Sequence, residues 1–157
     1  MDAAIRDHLA RALAWEDAHV GIDKALAGIP ADKRGARPPG FEHSLWHQLE
    51  HIRIAQEDIL DFCVKPKYEH TMKWPDDYWP AAPAPPDGKA WDESLAAYVR
   101  DRKTLERLAR ETPDLTALVP TGKGTQTYLR ALLLVIDHAA YHVGQIVELR
   151  RALGIWP

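Results

Sequence analysis

Asp137-His138-Ala139-Ala140-Tyr141-His142-Val143-Gly144-Gln145-Ile146 is the stretch on which the reading of this chain turns. It lies inside a segment that reads as one helix from about Thr125 to Leu153, preceded by the turn signals Pro120 and Gly122-Lys123-Gly124 and closed at Gly154. At about 100° per residue, with His138 at zero, Ala131, His142 and Leu149 fall within about 40° on one side, and Gln145, Leu134 and Tyr141 within about 60° on the other. Both histidines therefore sit in the middle of a core-facing stripe. A single inward imidazole is ordinarily a hydrogen-bonded core residue. Two at i, i+4, with Gln145 one turn further on, point two ring nitrogens at one ion. The same helix carries a second apolar row, Leu132, Ile136, Ala140, Val143 and Val147, centred roughly 150° from His138. A helix apolar on two sides is buried on two sides, so the first or third helix, or a second copy of the chain, covers that row.

Working outward, Met1, Ile5, His8, Ala12, Trp15, His19, Ile22 and Leu26 recur at steps of four and three, which predicts a first helix to about residue 28. Pro30 and Arg34-Gly35-Ala36-Arg37-Pro38-Pro39-Gly40 break it. A second helix starts at Ser44, an N-cap type, and runs to about Val64 before Pro66, with Leu45, Leu49, Ile52, Ala55, Ile59 and Phe62 on its apolar face. From Lys65 to Ala90, Pro75, Pro80, Pro83, Pro85 and Pro86 alternate with Trp74, Tyr78 and Trp79, a density of proline that excludes a helix. The aromatics favour a segment that packs down, either as a cover over the bundle ends or as a lid. A third helix from about Trp91 to Arg110 presents Trp91, Leu95, Tyr98, Leu105 and Leu108. Four amphipathic helices without a strand predict an all-α four-helix bundle, one domain over residues 1–157, with a long Pro/Trp-rich loop between the second and third helices. Connections of this length leave the order of helices in space open.

The 157 residues are 46% hydrophobic, with 20 Lys+Arg against 23 Asp+Glu, a formal charge of −3 and one Cys. A chain of this size builds its core without disulfides, and without a basic field no nucleic-acid partner is expected. The charged start, Met1-Asp2-Ala3-Ala4-Ile5-Arg6-Asp7, does not resemble a signal peptide, and the longest apolar run, Ala131 to Ile136, is too short to span a bilayer. The expectation is a cytoplasmic protein with no membrane partner.

A third metal ligand has to come from another helix. Measured from Ile52, His51 lies about 100° away on the side of Ala55 and Phe62, His47 about 140° and His43 about 180°, so His51 is best placed. His19 falls on the first helix's stripe, as a core residue, an outer partner, a fourth ligand or a proton carrier. Three neutral imidazoles suit zinc, nickel or iron and leave a position open for water or substrate. A di-iron site would need two Glu-x-x-His pairs, and only Glu16-Asp17-Ala18-His19 fits. A zinc protease would need Glu after His138, where Ala139 stands. Metal binding needs unprotonated rings, so affinity is expected to fall as pH drops through about 6.5, the ordinary imidazole value.

The segment from Asp137 to Ile146, with Leu149-Arg150-Arg151 and Leu153-Gly154-Ile155-Trp156 after it, resembles the last helix of the DinB/YfiT-like superfamily. Ser44-Leu45-Trp46, Glu50-His51-Ile52, Trp74-Pro75 and Asp77-Tyr78-Trp79-Pro80 extend the resemblance over nearly the whole chain. It implies a four-helix bundle, commonly dimeric, that binds a divalent metal through one His of the second helix and two of the last, here His51, His138 and His142. It also implies a thiol-dependent S-transferase or isomerase that uses a low-molecular-weight thiol. The expected function is accordingly a three-histidine metal enzyme of S-transferase type acting on a small electrophile, as a homodimer through the last helix. The alternatives are a non-catalytic metal-binding bundle and a metal-dependent hydrolase. Candidate proton carriers are His19, Glu50 and Asp58.

Overall fold

Hydrogen-bonded caps decide where the long helices begin. Ser44 Oγ accepts from the His47 amide at 3.1 Å while the Ser44 amide donates to His47 Nδ1 at 3.2 Å, a reciprocal cap that opens α3 (Leu45–Val64). Asp87 accepts from the Ala90 amide at 2.7 Å and opens α4 (Gly88–Glu111), three residues before the expected start at Trp91. Thr127 accepts from the Arg130 amide at 3.2 Å and opens the last helix, Tyr128–Ala152, which ends before Gly154 at φ +69°. This computed structural model describes residues 3–157. Among them no strand forms beyond an isolated bridge between Leu118 and Thr127.

The expected first helix is two pieces, α1 (Ala3–Ala12) and α2 (Ile22–Leu26), and the last helix is therefore α5. Met1 of its stripe lies outside the described residues. Trp15 and His19 are exposed in the link between the pieces. The break has a packing cause: α1 lies on α4, whereas α2 lies on α5, and one straight rod cannot follow both. At the return, a Cβ on Gly21 would come within 3.3 Å of both Glu16 Cβ and the Trp15 carbonyl, so the fold-back suits a residue without one. Arg102 of α4 then grips Asp23 of α2 with two hydrogen bonds, at 2.8 and 2.9 Å.

Pairs along the helices give the directions. Trp46 meets Trp91, Gln56 donates to the Tyr98 carbonyl, and Leu60 shares a core with Leu105, so α3 and α4 run parallel. Gln48 meets Gln145, and Thr121, just ahead of α5, donates to the Phe62 carbonyl at the far end of α3, so α5 runs against α3. Parallel neighbours need a connection that returns the full length of a helix, about 30 Å for twenty residues. The Pro/Trp-rich segment is that return. It runs along the flank of α3 and lays Tyr78 and Trp79 across its middle instead of covering the bundle ends.

Two apolar layers fill the interior. One gathers Ile22, Leu26, Leu45, Leu49, Ile52, Trp91, Tyr98, Val143, Ile146 and Leu149. The other gathers Ala10, Leu13, Leu60, Leu105, Leu115, Leu132 and Val135. The second row of α5 is covered in part by this same chain: Leu132, Val143 and Val147 are buried, while Ile136 and Ala140 are half-buried and line a small cavity with the α1–α2 link. Over its most apolar 18 residues α5 reaches a mean hydropathy of 1.2, so by length and composition alone it is apolar enough to cross a membrane. In the bundle that same helix holds His142 and Arg150 buried.

Candidate metal centre

Between the two apolar layers, α3 and α5 bring three imidazoles together. His51, His138 and His142 each offer a ring nitrogen, and the three nitrogens lie within 4.8 Å of one another. His51 Nε2 and His138 Nε2 are 3.0 Å apart. Tetrahedral nitrogen ligands about 2.0–2.1 Å from one zinc ion would stand roughly 3.3 Å from each other, close to this spacing. His51 and His142 are 2% and 4% exposed, and His138 is partly open.

The neighbours of two rings settle which nitrogen is free. His51 Nδ1 lies 3.0 Å from the Tyr78 carbonyl, and His142 Nδ1 lies 2.7 Å from Gln48 Oε1. Both oxygens only accept, so each Nδ1 carries the proton and each Nε2 presents a lone pair. Gln48 is itself oriented by donating to Gln145 Oε1 at 3.0 Å. Outer partners of this kind are what metal-binding histidines ordinarily have. Without a cation, the His138 Nε2 proton satisfies the His51 lone pair. With one, all three lone pairs can turn to it, so the donor set fits a borderline divalent ion.

Burial holds these rings in the neutral form. It pushes His51 down to about 4, against the opposing hydrogen bond to Tyr78, and His142 down to about 3, with help from the neighbouring His138 and His51. Burial lowers His138 as well, opposed by Asp137. Proton competition for the site is thereby shifted well below 6.5, where sequence alone would put it.

Trp79 roofs the cluster. Its ring stacks on His51 at 3.8 Å and 3° and, with its other face, on His43 at 3.8 Å and 6°. His47 is buried in the cap of α3. The three candidate proton carriers lie outside the ligand group. His19, on the exposed link, bonds through Nδ1 to the Val20 carbonyl at 2.8 Å. Glu50 is clamped by Arg53 at 2.8 and 3.0 Å. Asp58 accepts from the Tyr68 and Tyr78 hydroxyls at 2.6 and 2.5 Å. Gln48 is the residue that the sequence reading passed over. It lies about 40° from Ile52, on the buried stripe of α3, and a glutamine there was the available signal.

A family model described as the DinB superfamily matches residues 14–146. Comparison with curated proteins and with solved structures yields no match.

Proposed function

This chain belongs to the DinB superfamily, and on that premise we propose that it is a metal-dependent transferase in which His51, His138 and His142 hold one zinc, nickel or iron ion. The observation that carries the reading is the anchoring of two Nδ1 atoms, by Tyr78 and Gln48, so that their Nε2 lone pairs face a third imidazole. When bound, the ion supplies a Lewis acid that keeps a thiol ionised near neutral pH. The thiol comes from outside the chain, because burial pushes Cys63 up to about 12 and leaves it a poor nucleophile. Its proton passes to solvent, the sulfur forms a bond to the electrophilic carbon, and the leaving group departs with the electron pair of the broken bond.

The residues of the chain bind and shield. Trp79 excludes water from one face of His51. A cavity of about 660 Å³ between the C-terminal half of α3 and the start of α5, lined by Asp58, Ile59, Phe62, Tyr68, Ala131 and Leu134 but by none of the three histidines, is large enough for a small substrate. A second reading, a metal held for stability without turnover, is favoured by the depth of His51 and His142. The hydrolase reading loses support, since Glu50 and Asp58 are both engaged elsewhere. A twofold partner remains part of the proposal. On α5 the exposed Leu133, Leu134 and Tyr141 are available to such a partner, and a scattering mass of one chain would remove it.

The test is elemental analysis of protein grown with zinc, nickel and iron, alongside His51→Ala, His138→Ala and His142→Ala, followed by a screen of several cellular thiols against a reactive aryl halide. One ion per chain in the wild type, lost in all three variants, and thiol conjugation by the loaded protein are expected. No stoichiometric metal would end the reading. Metal without conjugation would move it to the non-catalytic form.

A further inference from the structure

The return segment between α3 and α4 is held to α3 at several points: Ser44 Oγ donates to the Pro83 carbonyl, the Pro80 backbone bonds His47, the Tyr78 carbonyl meets His51 Nδ1, and the Asp58 carboxylate takes two phenols. Asp58 Oδ1 accepts the Tyr68 hydroxyl at 2.6 Å and Oδ2 the Tyr78 hydroxyl at 2.5 Å. His70 Nδ1 lies 3.7 Å from the same Oδ2 and 3.1 Å from the Tyr68 hydroxyl. The Asp58 side chain is 15% exposed, so it satisfies its oxygens mainly from these partners. Burial and the adjacent carboxylate push both phenols upward, which keeps them protonated as donors.

Tyr78 has two ends in use. Its hydroxyl is held by Asp58, and its backbone carbonyl meets His51 Nδ1 at 3.0 Å. The next residue, Trp79, stacks on the His51 ring. Asp58 and His51 are seven residues apart on α3, two turns along one face, so the helix fixes the separation of the two anchor points at about 10 Å. Tyr78 bridges that interval, and within the segment itself only the 3-10 turn Asp76–Tyr78 supplies regular structure.

We propose that Asp58 is a positioning residue for the metal centre: by gripping the Tyr78 hydroxyl it holds the Tyr78 carbonyl on His51 Nδ1 and Trp79 on the ring face, which fixes the tautomer that presents Nε2 inward. The inference rests on the metal reading above, but the tautomer of His51 also belongs to the metal-free chain, and that keeps the two separable. A neutral amide at position 58 puts an NH2 donor where one carboxylate oxygen now accepts, so one of the two phenols loses its acceptor in place, and the oxygen that remains is a weaker one than a carboxylate.

Cobalt(II) is the probe, with affinity measured by chelator competition and geometry by visible absorption, on wild type, Asp58→Asn, Tyr78→Phe and Tyr68→Phe. Asp58→Asn and Tyr78→Phe should each weaken cobalt binding about tenfold, the lower end of the range for outer partners of metal ligands, and shift its absorption bands. Tyr68→Phe should stay within about threefold, and helical content should be unchanged throughout. Tyr78→Phe removes one oxygen atom only and carries the test if Asp58→Asn does not fold. Affinity within twofold of wild type and unaltered bands in both would overturn the proposal. If the wild type takes up no cobalt, the metal reading falls and nitrogen-15 NMR of metal-free protein decides: the Nδ1–H form of His51 should dominate in wild type and give way to a mixture in Tyr78→Phe. The same tautomer in both would sink the role of Asp58.

Discussion

A histidine has two nitrogens, and at His51 and His142 one of each pair is committed to an oxygen that can only accept. Burial keeps the rings neutral, with the Tyr78 hydrogen bond opposing it at His51, and that shift has a consequence for stability. Unfolded, these rings take protons near the ordinary 6.5; folded, His51 does so at about 4 and His142 at about 3. Because the folded values are lower, the unfolded chain binds more protons as pH falls, so this contribution is fully present above about 6.5 and is lost progressively toward 4 and below. Denaturant titrations of metal-free protein should show wild type losing stability between pH 6.5 and 5 faster than His142→Gln. Parallel curves would contradict the assignment. The inward histidines were legible from angular arithmetic, because burial on a helix follows its period, but the stripe on α5 was centred too far to one side: Leu134 and Tyr141, expected on it, are exposed and His138 stands at its edge, half-buried. The nitrogen assignments were not legible, since Tyr78 and Gln48 reach the rings across the fold.

The elements divide by how local their causes are. Ser44, Asp87 and Thr127 cap helices through atoms three residues away, and periodic stripes specify α3, α4 and α5. For the first helix the same reasoning misled: of its expected stripe Ile5, His8, Trp15 and His19 are exposed, whereas Ala10 and Leu13, off that stripe, bury in one apolar layer while Ile22 and Leu26 bury in the other. α2 has only five residues, too few to be stable by propensity. Its carbonyls are held instead by Arg150 of α5, whose Nη1 donates to Ala25 and Ala27 at 2.6 and 2.9 Å and more weakly to Lys24 at 3.3 Å. Arg150 is 4% exposed, and its guanidinium also lies 4.9 Å from the Trp156 ring. Arg150→Met would leave those acceptors buried without a charged donor, costing about 2–4 kcal/mol. A melting temperature about 10 °C lower should follow, with far-UV signal nearly unchanged at room temperature. A loss under 2 °C, read by calorimetry, would mean that α2 is held by its apolar contacts alone.

At the scale of the molecule, the histidine layer lies between two apolar cores. Each core stands on apolar burial, and the His138–His51 contact at 3.0 Å gives the layer a satisfied arrangement without a cation. Removing the metal should therefore leave the bundle folded. A bound ion at 100 to 1,000 times its Kd contributes about 3–4 kcal/mol, so chelation should lower the melting temperature by about 5–15 °C while the helical signal persists. Collapse of that signal on chelation would show the ion to be part of the folding nucleus. By itself the sequence determined an all-helical bundle, three of its helices and an inward triplet of histidines on two of them, because caps and periodicity act over a few residues. Only the tertiary structure decided that the first helix is broken, that α3 and α4 run parallel, and that the proline-rich return lays Tyr78 and Trp79 over His51. Those outcomes depend on which surfaces meet at long range, and no local spacing encodes that.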